Sequence, residues 1–158
     1  MASLPDPGRA GDDTGSGAAA LTAINVAACA AAHDLSMEKT PGSYRALTRD
    51  ISTQLATLHV GLPSVMKGFG DLSKASMAGG VLPEKFKELM ALALGVAAHC
   101  DGCLGFHAKA LVRLGATRAE VEEALAVAVY MGGGPALMYS ANALAAFKEF
   151  SAEAGRSG

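Results

Sequence analysis

Ten residues, "AHCDGCLGFH" from Ala98 to His107, hold two of the chain's three cysteines and two of its four histidines. Four chemistries compete for such a stretch: covalent haem attachment, a zinc site, thiol redox chemistry, and plain core packing. Haem attachment of the c type needs a histidine directly after the second cysteine, and Leu104 stands there. Cys100, Cys103 and His107 would give zinc three ligands. No second Cys/His pair offers a fourth, and His99 adjoins Cys100 too closely to bend back onto the same ion. Free cysteines are often simply buried, but a pair with a histidine at helical spacing is harder to explain by burial alone.

The spacing favours thiol chemistry. Asp101-Gly102 is a natural break between two helices, which puts the cysteine pair at the start of the second one. Unpaired backbone N–H groups and the helix dipole there favour negative charge, so a cysteine thiolate is stabilised. The three-residue separation lets the two sulfurs meet across one turn. His107 follows Cys103 by four residues, on the same helical face, where an imidazole can accept the thiol proton.

The elements that position this stretch are all helical. Tyr44, Leu47, Ile51, Leu55 and Leu58 form one apolar stripe at three- and four-residue steps. "GLP" at Gly61–Pro63 starts a second helix expected to turn Val65, Met66, Phe69 and Leu72 inward. After "AGGVLP", a third helix from about Glu84 to Ala98 is expected to bury Phe86, Leu89, Met90, Ala93, Leu94 and Ala97. The helix carrying the cysteines ends at Gly115, a C-cap. Thr117-Arg118-Ala119-Glu120 is a capping box for the next, whose expected buried face is Val121, Ala124, Leu125 and Ala128. "GGGP" at Gly132–Pro135 breaks it, and a last helix carries Leu137, Ala141, Leu144 and Phe147. No segment alternates with period two, so the fold class is all-α, about six helices with short Gly/Pro connectors.

A chain of 158 residues suits one domain. Hydrophobic residues make up 51% but aromatics only 5%, so Ala, Leu, Val and Met must fill closely packed helices. The net charge of −2 and scattered Lys and Arg exclude a general affinity for nucleic acid. Three cysteines do not make the framework of a stapled secreted domain, and a reducing, cytoplasmic setting fits better. Residues 1–36 read as an extension, disordered or weakly helical and Ala-rich, ahead of a domain over 37–152 and a tail over 153–158. "VAAC" resembles a lipid-attachment box at Cys29, but the preceding segment has one Arg against three Asp, where an export signal is positive. Cys29 is therefore a bystander, and His33 and His59 are expected to be structural or solvated. No stretch looks long and apolar enough to span a membrane.

From Lys85 to about Phe147 the chain resembles the AhpD-like alkylhydroperoxidase core of the carboxymuconolactone decarboxylase superfamily. The resemblance rests on Glu88, eleven residues, Cys100-Asp101-Gly102-Cys103, three residues, then His107. "LVRLGATRAEVEEAL" and "YMGGGPALMYSANAL" follow. It implies an AhpD-like helical bundle assembled as a homo-oligomer, a trimer or hexamer, with no bound cofactor. It also implies thiol-dependent reduction of a hydroperoxide: Cys103 as the attacking thiolate, Cys100 as the resolving thiol, His107 as proton acceptor, and Glu88 acting through His107. An external dithiol, lipoyl or thioredoxin-like, would restore the thiols. The superfamily also contains decarboxylases of lactone acids, which generally lack the cysteine pair. A thiol redox sensor that does not turn over is a further alternative.

Two points depart from easy expectation. Twelve residues along one helix span roughly 18 Å, so Glu88 can reach the cysteines only if the chain folds back near Asp101-Gly102 or a neighbouring subunit helps. Periodicity alone makes Glu88 an exposed helix carboxylate. Peroxide-reducing relatives often carry a histidine directly before the second cysteine, where this chain has Gly102. His99 is the candidate to replace it.

Overall fold

Glu149, near the end of the last helix, holds the start of the first. Its carboxylate accepts from the Ser43 hydroxyl at 2.6 Å and from the backbone N–H groups of Tyr44 at 2.9 Å and Arg45 at 3.2 Å. Ser43 is the N-cap, and its oxygen accepts in turn from the Ala46 N–H. Two N–H groups of the first turn are thus satisfied across the fold and a third by the local cap. The computed structural model describes residues 42–154, apart from the side chain of Glu153. All of them belong to one unit, Thr40–Gly158. The expected extension over residues 1–36, with Cys29 and His33, lies outside the described residues.

Five helical stretches follow in order: α1 Tyr44–Gly61, α2 Pro63–Met77, α3 Glu84–Ala97, α4 Asp101–Arg113 and α5 Arg118–Ala154. Among the described residues no strand occurs, so the fold is all-α. The glycine run in α5 breaks it as expected: Gly133 has φ 62° and ψ −147°, a geometry outside the helix, and divides the stretch in two. Counted that way the described residues form six helices. The break also bears on membranes. Residues 118–152 reach a mean hydropathy of 1.3 over an 18-residue window, as a spanning helix does, contrary to the expectation from sequence. Gly133 interrupts that stretch.

The core is built where α3, α4 and α5 pack together, with α1 laid against α4 and α5. Leu92, Val96, Leu104, Leu111, Val121 and Ala146 are its sealed centre, with Tyr44 and Phe147 at its edges. The capping box at Thr117 forms in both directions: Glu120 accepts from the Thr117 N–H at 2.7 Å, and the Thr117 hydroxyl accepts from the Glu120 N–H at 3.2 Å. The Lys85 ammonium and Thr117 together lower Glu120 to about 2. Gly115 ends α4 at φ 67°, with Ala116 N–H donating to Leu111 C=O and Gly115 N–H to Val112 C=O, the Schellman arrangement.

One expected buried face is exposed, and a second is buried only in part, through Leu89 and Ala93. Helix α2 buries none of its residues, and Val65, Phe69 and Leu72 stand exposed, Phe69 at 68%. On α3, Phe86, Met90 and Leu94 also face outward, while Glu88, Leu89, Leu92, Gly95 and Val96 face the core. Leu55, Leu58 and Leu137 are likewise uncovered. Hydropathy reports that an apolar row wants cover; it does not say whether the cover comes from the same chain.

Although burial pushes the Glu149 carboxyl up, Ser43 and the two backbone N–H groups outweigh it and hold the group below its ordinary value of 4.5. Folding therefore favours the ionised form, so its contribution is complete above that value and disappears as the pH falls through the lower, folded one. Glu149→Gln is expected to destabilise the protein by about 1–3 kcal/mol at pH 7. In denaturant melts across pH, the gap from the parent should close below the ordinary carboxylate value.

Candidate active site

Helix α3 ends at Ala97, with Ala98 as C-cap, and the chain reverses through His99. Cys100 N–H donates to Gly95 C=O at 3.0 Å and His99 N–H to Val96 C=O at 3.1 Å, a second Schellman turn. The left-handed position of such a turn usually takes glycine, as Gly115 does. Here it is His99, at φ 51°, a conformation that costs a side-chain-bearing residue about 1 kcal/mol. The His99 ring stacks on Tyr139 of α5 with centroids 4.4 Å apart, which holds it in place.

The reversal makes α3 and α4 an antiparallel pair whose contact is tight because residue 95 is glycine. A Cβ there would lie 3.2 Å from Cys103 Cβ. Helix α4 begins at Asp101 with Cys100 as its N-cap, so the cysteines do occupy the start of a helix. The Cys100 sulfur accepts from the Cys103 N–H at 3.2 Å, and the two cysteines are joined as a disulfide with Cα atoms 5.2 Å apart.

The same reversal corrects the reading of Glu88. It is not an exposed helix carboxylate but a buried one, 7% accessible, on the inner face of α3. Its Oε2 lies 2.7 Å from Nδ1 of His107. An ionised carboxylate only accepts, so opposite one Nδ1 would carry the hydrogen, which leaves Nε2 of a neutral imidazole as the lone-pair nitrogen. A carboxylate behind one nitrogen of an imidazole that lines a cavity is a layout that suits a general base. His107 itself is part-exposed, its side chain at 30%.

Cys103 and His107 open on one shallow cavity of about 310 Å³, walled by Ala91, Leu94, Gly95 and Ala98. The walls are aliphatic. Leu94, at 69% exposed, forms an outer lip that no other part of the described chain covers. Among the described residues no group of three or more His, Cys, Asp and Glu side chains is arranged to hold a metal ion.

The four expected site residues thus gather at the α3–α4 hairpin. The proposed substitute for the absent histidine does not join them in the same way: the His99 ring is exposed and stacked on Tyr139. The position before Cys103 is also spoken for. A Cβ on Gly102 would stand 3.0 Å from Cδ1 of Ile51, so α1 fills the space a side chain at 102 would enter. His59 lies exposed in the last turn of α1. Sequence reading missed Gly95, whose role only a helix crossing reveals, and Tyr44, whose ring counts toward an apolar stripe while its hydroxyl reaches Asp101 Oδ1 at 3.1 Å.

A profile described as the carboxymuconolactone decarboxylase family matches residues 63–146. The chain belongs to that family. An uncharacterised protein of Cupriavidus necator is 41% identical over 103 residues, which is 65% of this chain and 91% of the relative. A family member from Legionella pneumophila, solved as a crystal structure, is 54% identical with a TM-score of 0.68, covering 68% of this chain and 96% of its own. A family member from Thermotoga maritima is 26% identical with a TM-score of 0.64, covering 70% and 94%. The bundle described above, with the AhpD-like core at its centre, is therefore the fold of this family.

Replacing Glu88 tests the carboxylate–imidazole pair. Glu88→Gln keeps the shape but removes the charge; if the pair serves as the base for Cys103, the change is expected to slow reaction of that thiol with peroxide roughly tenfold to a hundredfold. That is part of the 10²–10⁴ a general base supplies. The thermal midpoint, measured alongside, separates this loss from unfolding.

Proposed function

We propose that this family member is a thiol-dependent hydroperoxide reductase, with Cys103 as nucleophile, Cys100 as resolving thiol, His107 as proton acceptor and Glu88 orienting His107. The observation that carries the reading is the Glu88–His107 hydrogen bond of 2.7 Å behind a cavity that also holds Cys103. A Thermotoga relative for which an antioxidative role is suggested points the same way.

In the cycle, His107 takes the proton of Cys103, and the thiolate attacks one peroxide oxygen. The S–O bond forms, the O–O bond breaks, and the departing alkoxide takes a proton from His107 to leave as an alcohol. Cys103 is then a sulfenic acid. Cys100 attacks its sulfur, the S–O bond breaks, water leaves, and the disulfide remains. An external dithiol, lipoyl or thioredoxin-like, reduces it by exchange through a mixed disulfide and is itself oxidised. The joined Cys100–Cys103 pair corresponds to the oxidised state of this cycle. No bound cofactor enters it, and a reducing compartment such as the cytoplasm would keep the donor available.

The working form in this proposal is a homo-oligomer, a trimer or hexamer. What supports it is the uncovered apolar surface: Val65, Phe69 and Leu72 on α2, and Phe86, Met90 and Leu94 on α3. A 15-residue helix that buries nothing of its own gains stability only from something packed on it.

Stoichiometric cumene hydroperoxide added to reduced protein should remove two alkylatable thiols and lower the intact mass by two hydrogens. Cys103→Ser should abolish this, and Cys100→Ser should leave a sulfenic acid that dimedone traps. Retention of both thiols would overturn the reading. A disulfide that forms without steady-state consumption in the presence of dihydrolipoamide would mark a sensor instead. The family match carries a second reading, decarboxylation of a lactone acid, which full activity of the Cys100→Ser, Cys103→Ser double variant would favour. For the assembly, Phe69→Glu with Leu72→Glu should reduce the particle mass in light scattering to that of one chain.

A further inference from the structure

The first turn of α4 has to serve two negative charges. Cys103 as a thiolate draws on the N–H groups and the dipole there. Asp101, set between the cysteines as the first residue of the helix, draws on the same groups and adds a repelling charge beside the thiolate. A carboxylate in that place favours the helix but opposes the chemistry proposed for it.

The carboxylate has a partner from outside the helix. Tyr44 of α1 is 2% exposed and donates its hydroxyl to Asp101 Oδ1 at 3.1 Å. Its place is fixed on every side. Glu149 binds its backbone N–H, and its ring lies against Gly105, where a Cβ would come within 3.4 Å of Cδ1. Two turns on, Ile51 abuts Gly102, so α1 grips both residues that separate the cysteines. Burial, and then the Asp101 charge, push the Tyr44 phenol well above its ordinary value, so it stays a donor at any pH where the protein works.

We propose that Tyr44 is a positioning residue for the thiol site: its buried hydroxyl holds the Asp101 carboxylate against α1 and takes up part of its charge, leaving the start of α4 to stabilise the Cys103 thiolate. This rests on the reading of Cys103 as the nucleophile. Without the phenol, the carboxylate must find other donors, and the first-turn N–H groups of α4 are nearest along the chain. The titratable groups around that turn are Asp101 and His107 on α4, Glu88 from α3, His99 in the reversal, Tyr44 from α1, and Tyr139 and Glu149 from α5. Of the carboxylates, Glu88 is held by His107 and Glu149 by the start of α1, so Asp101 is the one that Tyr44 governs.

The test is a double-mutant cycle read on the reduced protein by iodoacetamide alkylation across pH, with Cys103 followed by peptide mass. Tyr44→Phe should move the Cys103 midpoint up and slow alkylation below it about three- to tenfold, a tenfold change being one pH unit. Asp101→Asn should move it down. In the Asp101→Asn background, Tyr44→Phe should change nothing, because no charge is left to hold. An equal shift in both backgrounds, or none in either, overturns the proposal. If Tyr44→Phe fails to fold, Asp101→Asn alone still decides, since an unchanged or raised midpoint sinks the idea. Alkylation needs no peroxide, so thiols inert to cumene hydroperoxide would end the reductase reading while this cycle still reported the coupling.

Discussion

The site depends on one reversal of direction. Between Ala97 and Asp101 the chain turns back on itself, and Gly95 lets α3 and α4 close until a Cβ there would press on Cys103. Everything chemical follows from that contact. It carries Glu88 from a place far up one helix to within hydrogen-bonding distance of His107 on the next. It also leaves Cys100 as the N-cap of α4, where the backbone offers the disulfide and its thiols a run of N–H groups. The turn is made at a cost, since His99 rather than glycine takes the left-handed position, and the stack on Tyr139 offsets it.

The surroundings sort the charges. Glu88 sits buried with one partner, so its carboxylate orients the imidazole instead of dissolving into solvent. Asp101 is drawn aside by a buried tyrosine, and Glu149 is used up as a remote cap for α1. Glu88, Asp101 and Glu149 each have a donor of their own, which is how several acids can share a small helical domain. The cavity beside Cys103 has aliphatic walls, and its outer lip, Leu94, continues the uncovered row of Phe86 and Met90. The uncovered apolar surface and the cavity beside Cys103 are therefore one continuous region of α3.

Much of this could be read from the residues. Helical periodicity, the capping box at Thr117, the breaks at Gly61, Gly115 and the glycine run before Pro135 all describe local preferences, and local preference decided the elements. The thiol site was legible for the same reason: Cys100, Cys103 and His107 lie within eight residues, so one helix start places them. The apolar rows on α2 and α3 were legible as rows but not as faces. A hydrophobic stripe is the same pattern whether the chain covers it or another copy does.

The sequence by itself determined an all-helical chain with a cysteine pair at a helix start and a histidine one turn further on. These need only the 3.6-residue period and the chemistry of side chains a few positions apart. Only the tertiary structure decided that Glu88 is buried against His107, that Ile51 occupies the space beside Gly102, and that Tyr44 reaches Asp101. Each of those contacts joins residues on different helices. Their distances depend on how closely two helices cross, which a glycine permits but no periodicity announces.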